Sequence, residues 1–228
     1  MKDFKLDLPR RERLGFDEAV FCGGKTPAQI AAILAEAPSH GGRFLLTRFS
    51  SQQLSQLPAA QQALIDYEAV SLTGFYGAVE PVDGEPSIAV VCAGTSDLPA
   101  AREAVRTLRY YGEAALECAD IGVAGLWRLT ERLEELRSKQ AIIVAAGMEA
   151  ALVSVVGGLV PGLVIALPTS VGYGVAAGGE TALRAALASC APGVVAVNID
   201  NGYGAACAAL RALRNSERRV NDPLLLAR

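Results

Sequence analysis

The sequence predicts an α/β protein: a parallel sheet with helices on both faces, behind a small N-terminal α/β domain. Three observations carry this. Beyond residue 86, apolar runs of strand length at 88–94, 114–120, 141–147, 163–168 and 194–199 alternate with helical stretches, the pattern of right-handed βαβ crossovers. Those runs are apolar throughout rather than at every second residue, as in strands covered on both faces. Finally, 51% hydrophobic and 20% charged residues, over 228 residues, provide enough apolar mass for a sizeable core.

The elements follow in order. Residues 10–13 are charged, and Cys22-Gly23-Gly24-Lys25 is a loop. Thr26 before Pro27 is a helix N-cap with a first-turn proline, opening a helix over 28–34. Gly-Gly-Lys-Thr matches the end of a phosphate-binding P-loop, but the upstream glycine is replaced by Ala19, which excludes that motif. Lys25 remains a candidate anion contact at the helix start, against the plainer reading of a solvated lysine. Residues 43–49 are strand-like, 50–64 helix-like and 69–74 strand-like again. The stretch 80–86, dense in proline, glycine and charge, is the linker, so domains are expected at 1–85 and 86–228.

In the second domain Thr95-Ser96-Asp97-Leu98-Pro99 closes the first strand and caps a helix running to about Tyr111. A helix to about Lys139 follows the second strand, and a small-residue helix follows the third. Gly157-Gly158 and Gly178-Gly179 fall in helical stretches, where each glycine costs about 1 kcal/mol relative to alanine. Close helix packing, as between subunits, explains them; so does helix termination. Ligands of open parallel sheets bind beyond the carboxyl ends of the strands. Those ends are Gly94-Thr95-Ser96-Asp97, Gly147-Met148-Glu149, Pro168-Thr169-Ser170 and Asn198-Ile199-Asp200-Asn201. Glycines there admit close backbone approach, and helix N-termini favour phosphate. Glu149, after an all-apolar strand, is expected to be partly desolvated and so raised toward a useful acid–base range. An ordinary first-turn glutamate is the alternative.

Several functions are excluded. A net charge of −3 without a basic run argues against nucleic acid. Five cysteines with no CxxC pair argue against a disulfide framework and a structural zinc site. His40 is the only histidine, so histidine triads and multi-histidine metal sites are ruled out. No unbroken apolar run reaches membrane-spanning length and no apolar leader follows the charged start, so the cytoplasm is the expected compartment. Cys190 stands before an Ala-Pro-Gly turn, an apolar strand and the Asn-Asp-Gly loop. A thiolate there is a candidate nucleophile; a small buried apolar residue is the alternative.

Ala93-Gly94-Thr95-Ser96-Asp97-Leu98-Pro99, Asp120-Ile121-Gly122-Val123-Ala124-Gly125-Leu126 and Ala146-Gly147-Met148-Glu149 resemble motifs of the LarB family. So do Ser154-Val155-Val156-Gly157-Gly158-Leu159, Pro168-Thr169-Ser170-Val171-Gly172-Tyr173-Gly174, Ser189-Cys190-Ala191-Pro192-Gly193-Val194 and Asn198-Ile199-Asp200-Asn201-Gly202. Gly15-Phe16, Val20-Phe21 and Gly24-Lys25-Thr26 resemble its N-terminal signature. The C-terminal part is also similar to the aminoimidazole ribonucleotide carboxylases of purine synthesis (PurE type), whose Gly-Ser-x-Ser-Asp turn loosely matches Gly94 to Asp97. A PurE- or flavodoxin-like sheet is therefore implied.

The resemblance implies a carboxylase and hydrolase of nickel-pincer cofactor biosynthesis. Its substrates would be nicotinic acid adenine dinucleotide and, as co-substrate, CO2 or bicarbonate. Carboxylation at pyridinium C5 and phosphoanhydride cleavage would release AMP and pyridinium-3,5-biscarboxylic acid mononucleotide. Cys190 is implied as covalent nucleophile, Glu149 and Asp97 for proton removal and positioning, and Thr95 and Ser96 for phosphate or carboxylate. Gly94, Gly147, Met148, Thr169, Ser170, Asn198, Asp200, Asn201, Lys25 and Trp127 complete the expected substrate site. No organic cofactor is implied; Mg2+ near Asp97 or Asp200 is the candidate metal. A homo-oligomer, an octamer in the PurE manner, is implied, with no nucleic-acid or membrane partner.

Trp127 replaces the family's histidine, Ala150 its glycine and Val153 its proline. PurE-type enzymes rely on a histidine after the strand at 141–146, where this chain has Glu149. Trp127 offers an apolar ring with one donor, able to stack on nicotinate or adenine. Two alternatives stay open: a catalytically silent nucleotide-binding relative, and an aminoimidazole ribonucleotide carboxylase.

Overall fold

The computed structural model describes residues 4–7, 9–82 and 84–220. They fall into two compact units. One reaches Val82 and takes in Arg109–Gly112; the other holds the remainder.

The first unit contains α1 (Arg10–Leu14), β1 (Val20–Phe21), α2 (Pro27–Leu34), β2 (Phe44–Thr47), α3 (Ser51–Ser55), α4 (Ala59–Gln62), β3 (Ile65–Glu68) and β4 (Thr73–Tyr76). Its sheet has the order β1-β2-β4-β3, with β1 parallel to β2 and the other pairs antiparallel. Thr26 caps α2 as expected: its hydroxyl accepts from the Gln29 amide at 3.2 Å, while the Gln29 side chain accepts from the Thr26 amide at 3.0 Å. That reciprocal cap fixes the helix start. Ile30, Ile33 and Leu34 then bury against Phe44, Leu46 and Phe49.

Two expectations here are corrected. The helix over 50–64 is split into α3 and α4 at Pro58, which has no amide hydrogen to continue a helix. Of the strand expected over 69–74, residues 69–72 are instead the turn of the β3–β4 hairpin, and only Thr73 and Gly74 belong to β4. The Ser71 amide closes it on the Glu68 carboxylate at 2.7 Å, and Leu72 takes a left-handed φ of 53°.

The second unit contains β5 (Ile88–Cys92), α5 (Leu98–Tyr110), β6 (Ala115–Cys118), α6 (Leu126–Glu131), α7 (Leu133–Arg137) and β7 (Ala141–Ala146). It continues with α8 (Ala151–Gly157), β8 (Leu163–Pro168), α9 (Glu180–Leu187), β9 (Val195–Ala196) and α10 (Gly202–Val220). The sheet is parallel, in the order β6-β5-β7-β8-β9. Ala89, Val91, Ile142, Val144, Val164 and Ala166 pack with Leu129, Leu136, Leu152, Val156 and Ala182 from α6–α9. The alternate residues Ile88, Val90, Ile143, Ile165 and Leu167 are also fully buried, on the opposite face, where α10 packs on β7 and β8. Coverage on both faces is why these strands carry no polar alternation.

The last strand is shorter than expected. The Ile199 amide turns back onto the Asn198 side chain at 2.9 Å, which takes that end of 194–199 out of the ladder. The helix expected to run to Lys139 is interrupted at Arg132. The paired glycines mark helix ends: Gly157 and Gly158 close α8, while Gly178 and Gly179 adopt φ of 76° and 83° just before α9. Among the described residues, no helix is long and apolar enough to cross a membrane.

Candidate active site

The strand order reverses at β5, whose neighbours β6 and β7 follow it in sequence on opposite sides. A crevice opens at such a switch point, beyond the carboxyl ends of the strands. Here it is a cleft of about 360 Å³. The turn after β5 supplies Gly94, Ser96 and Asp97; the loop after β6 supplies Gly122, Val123, Ala124 and Arg128. The turn after β7 supplies Gly147, Met148, Glu149 and Ala150, and Val171 follows β8.

Close backbone approach builds this cleft. A Cβ on Gly122 would lie 2.6 Å from the Ala93 carbonyl oxygen, and one on Gly147 would overlap the Val171 carbonyl oxygen. Among the described residues, four of the six non-glycine residues with positive φ lie at the carboxyl ends: Asp120, Met148, Ala150 and Asp200. Left-handed backbone is unfavourable for such residues and persists only where surrounding contacts impose it. Met148 and Ala150, at φ of 51° and 50°, bracket Glu149 and turn its side chain out.

Asp97 is 4% exposed. One carboxylate oxygen accepts from the Gly94 amide at 2.9 Å; the other accepts from the Gly147 amide at 3.0 Å and the Thr169 hydroxyl at 2.6 Å. Thr169 is 1% exposed, so it supports the cleft from beneath and does not face a ligand. Glu149 lines the cleft and is exposed, although its neighbours Gly147 and Ala150 are buried. Cys92, at the end of β5, is buried, which pushes its thiol up to about 11.

Of the other expected residues, Thr95 is exposed in the same turn as Ser96, outside the cleft lining. Ser170, Asn198, Asp200 and Asn201 build the neighbouring loops. The Ser170 amide donates to Asp200 at 2.9 Å, and the Asn201 side chain accepts from the Gly204 amide at 2.8 Å to cap α10. Trp127 is 63% exposed beside Arg128. In the first unit, the Lys25 ammonium donates to the Phe21 carbonyl at 2.8 Å.

Cys190 is exposed, but lies on the loop that enters β9. That loop sits at the amino edge of the sheet. Ser189 bonds Ser154 of α8 at 2.8 Å, and Ala191 and Val194 face Gly157 at the end of α8. Cys190 and the Asn198–Asn201 loop are neighbours in sequence, yet they lie on either side of β9. Glu149 follows β7 in the cleft, whereas Cys190 precedes β9 outside the cleft lining, next to Ser189, which meets α8 two residues past the cleft-lining Leu152.

Arg128 was not foreseen. Its guanidinium pairs with Asp120 and folds over Gly125, where a Cβ would come within 2.7 Å of Nε. Nε is buried without a partner, in a side chain that lines the cleft. The positive charge of this half-buried guanidinium at the cleft suits an anionic group. The only sequence signal was its place just after the glycine-rich segment 122–125. Of the carboxylates expected near Mg2+, both Asp97 oxygens accept from protein donors and one Asp200 oxygen accepts from the Ser170 amide; no group of three potential protein ligands is found among the described residues.

Family comparison decides the relationship. A LarB/PurE-like N-terminal domain model matches residues 1–75, and an AIR carboxylase model matches residues 87–228. This is a LarB-family chain. It carries a PurE-type C-terminal domain, and both domains are those of a carboxylase family. An uncharacterised protein of Methanocaldococcus jannaschii is 34% identical to this LarB-family chain over 208 residues, which is 88% of this chain and 80% of that protein. The crystal structure of a PurE2 variant from Treponema denticola matches with a TM-score of 0.44 and 19% identity, covering 64% of this chain and 100% of its own.

Proposed function

We propose that this protein carboxylates nicotinic acid adenine dinucleotide at pyridinium C5 and hydrolyses its phosphoanhydride, releasing AMP and pyridinium-3,5-biscarboxylic acid mononucleotide. The observation that carries the reading is the cleft. It is lined by an exposed carboxylate, Glu149, and by the guanidinium of Arg128, between glycine turns packed closely together. Arg128 takes a phosphate or carboxylate group of the substrate.

The ring chemistry needs a nucleophile. A pyridinium ring is electron-poor, so its C5 cannot attack CO2. Addition of the Cys190 thiolate forms a C–S bond and leaves an enamine whose C5 is nucleophilic. C5 then bonds to CO2, Glu149 takes the C5 proton, and the C–S bond breaks to return pyridinium and thiolate. Water adds to the phosphoanhydride, and AMP departs.

Because Cys190 lies outside the cleft lining that holds Glu149, the reading includes a homo-oligomer in which the cysteine of one copy meets the cleft of another. Two experiments test it. Incubation with nicotinic acid adenine dinucleotide and bicarbonate yields AMP and the dicarboxylated mononucleotide. Cys190→Ala abolishes carboxylation and the cysteine adduct in intact mass. A wild-type protein that gives neither product sinks the proposal; tight dinucleotide binding without turnover identifies a silent binding protein. In addition, refolding inactive Cys190→Ala with strongly impaired Glu149→Gln at equal amounts restores about a quarter of wild-type turnover, the share of two-copy sites with both native groups. A mixture that stays inactive contradicts the shared site.

A further inference from the structure

We propose that Asp97 is a positioning residue: it holds the backbone that presents Glu149, which leaves Glu149 as the proton-transfer carboxylate of the cleft. This rests on the carboxylase reading above and deepens it. Both acids line the same cleft, so sequence alone assigns them alike. Their surroundings do not.

The Asp97 carboxylate ties together the carboxyl ends of three adjacent strands. It accepts from Gly94 after β5, Gly147 after β7 and Thr169 after β8, at 2.9, 3.0 and 2.6 Å. Oδ1 already accepts two of these bonds, so a proton on it would displace Gly147 or Thr169 and leave that donor unpaired in a buried place. Gly147 leads straight into the turn of Met148, Glu149 and Ala150. That turn is held at two further points, by the Met148 amide on the Val171 carbonyl and the Ala150 amide on the Gly147 carbonyl, both at 2.8 Å. Glu149 is exposed at its apex and makes no ion pair among the described residues. The charged groups facing the cleft are therefore Asp97, Glu149 and Arg128, the last paired with Asp120.

The test compares Asp97→Asn, Thr169→Val, Thr169→Ser and Glu149→Gln. With dinucleotide and bicarbonate, Asp97→Asn and Thr169→Val lower kcat, by up to about a hundredfold for a displaced reacting group, and keep the acidic limb of the pH–kcat profile. Glu149→Gln removes that limb, and Thr169→Ser recovers most of the turnover. Loss of the limb in Asp97→Asn, or full activity in Thr169→Val, overturns the proposal. Amide exchange supplies a readout independent of turnover. In Asp97→Asn, the Gly94 or Gly147 amide, whichever meets the new amide nitrogen, exchanges about tenfold faster. Unchanged exchange at both also overturns it. A wild-type protein with no turnover defeats the carboxylase reading alone, and exchange then decides the positioning role. If Asp97→Asn does not fold, Thr169→Val, which keeps both carboxylate oxygens, carries the test.

Discussion

Gly147→Ala should damage both the stability and the site of this protein. The new methyl group would overlap the Val171 carbonyl oxygen and lie 2.8 Å from the Thr169 hydroxyl and the Val171 Cβ. Most of these atoms belong to backbone or to a buried side chain, so the turn after β7 must move. Overpacking of this kind costs about 1–3 kcal/mol. The shift also weakens the Met148 amide bond to Val171, worth about 0.5–1.5 kcal/mol. A loss of about 3 kcal/mol lowers Tm by roughly 6–12 °C in a chain of this size. Gly158→Ala is the matched control. Gly158 has φ of −86°, and a methyl group there would have its nearest neighbours 3.7 Å away. That alanine fits, and it stabilises by up to about 1 kcal/mol through the unfolded chain. Calorimetry on both variants decides. A Gly147→Ala protein melting within the error of wild type would refute the packing argument, and so would an equal loss in Gly158→Ala.

Three further outcomes are expected. Ala150→Gly relieves a left-handed backbone and is neutral or mildly stabilising, whereas Ala151→Gly, in the first turn of α8, costs about 0.5–1 kcal/mol in urea unfolding. Near neutral pH a thiol reagent labels exposed Cys190 first, while Cys22, pushed up to about 12 by burial, and Cys92, up to about 11, resist until the protein unfolds; peptide mass mapping reads the order. Burial raises the Glu80 carboxyl, but hydrogen bonds from Arg11 and Arg43 at 2.6 and 2.8 Å outweigh it and leave its pKa lowered. Its contribution is therefore present above the ordinary value of 4.5 and lost as pH falls through the folded value, so the gap in urea midpoint between wild type and Glu80→Gln closes in acid.

Much of this molecule was readable from local chemistry. Apolar runs covered on both faces announced the parallel sheet, and Thr26 with Pro27 announced α2, because periodicity and capping depend on residues within a turn or two of each other. The same logic placed Gly94, Ser96, Asp97, Gly147 and Glu149 at strand ends, where the cleft lies. Strand β1, only Val20–Phe21, is too short to show a period, and it exists because β2 lies beside it. Asp97 and Glu149 looked equivalent as letters; burial and three donors separate them. Arg128 gained its unused donor only by folding over Gly125. Cys190 shows the division most clearly. Its neighbourhood in sequence includes the Asn-Asp-Gly loop, but a strand has direction, and its two ends open on opposite edges of a sheet. Local sequence determined which groups exist and in what elements; chain direction and packing across strands decided which of them can meet.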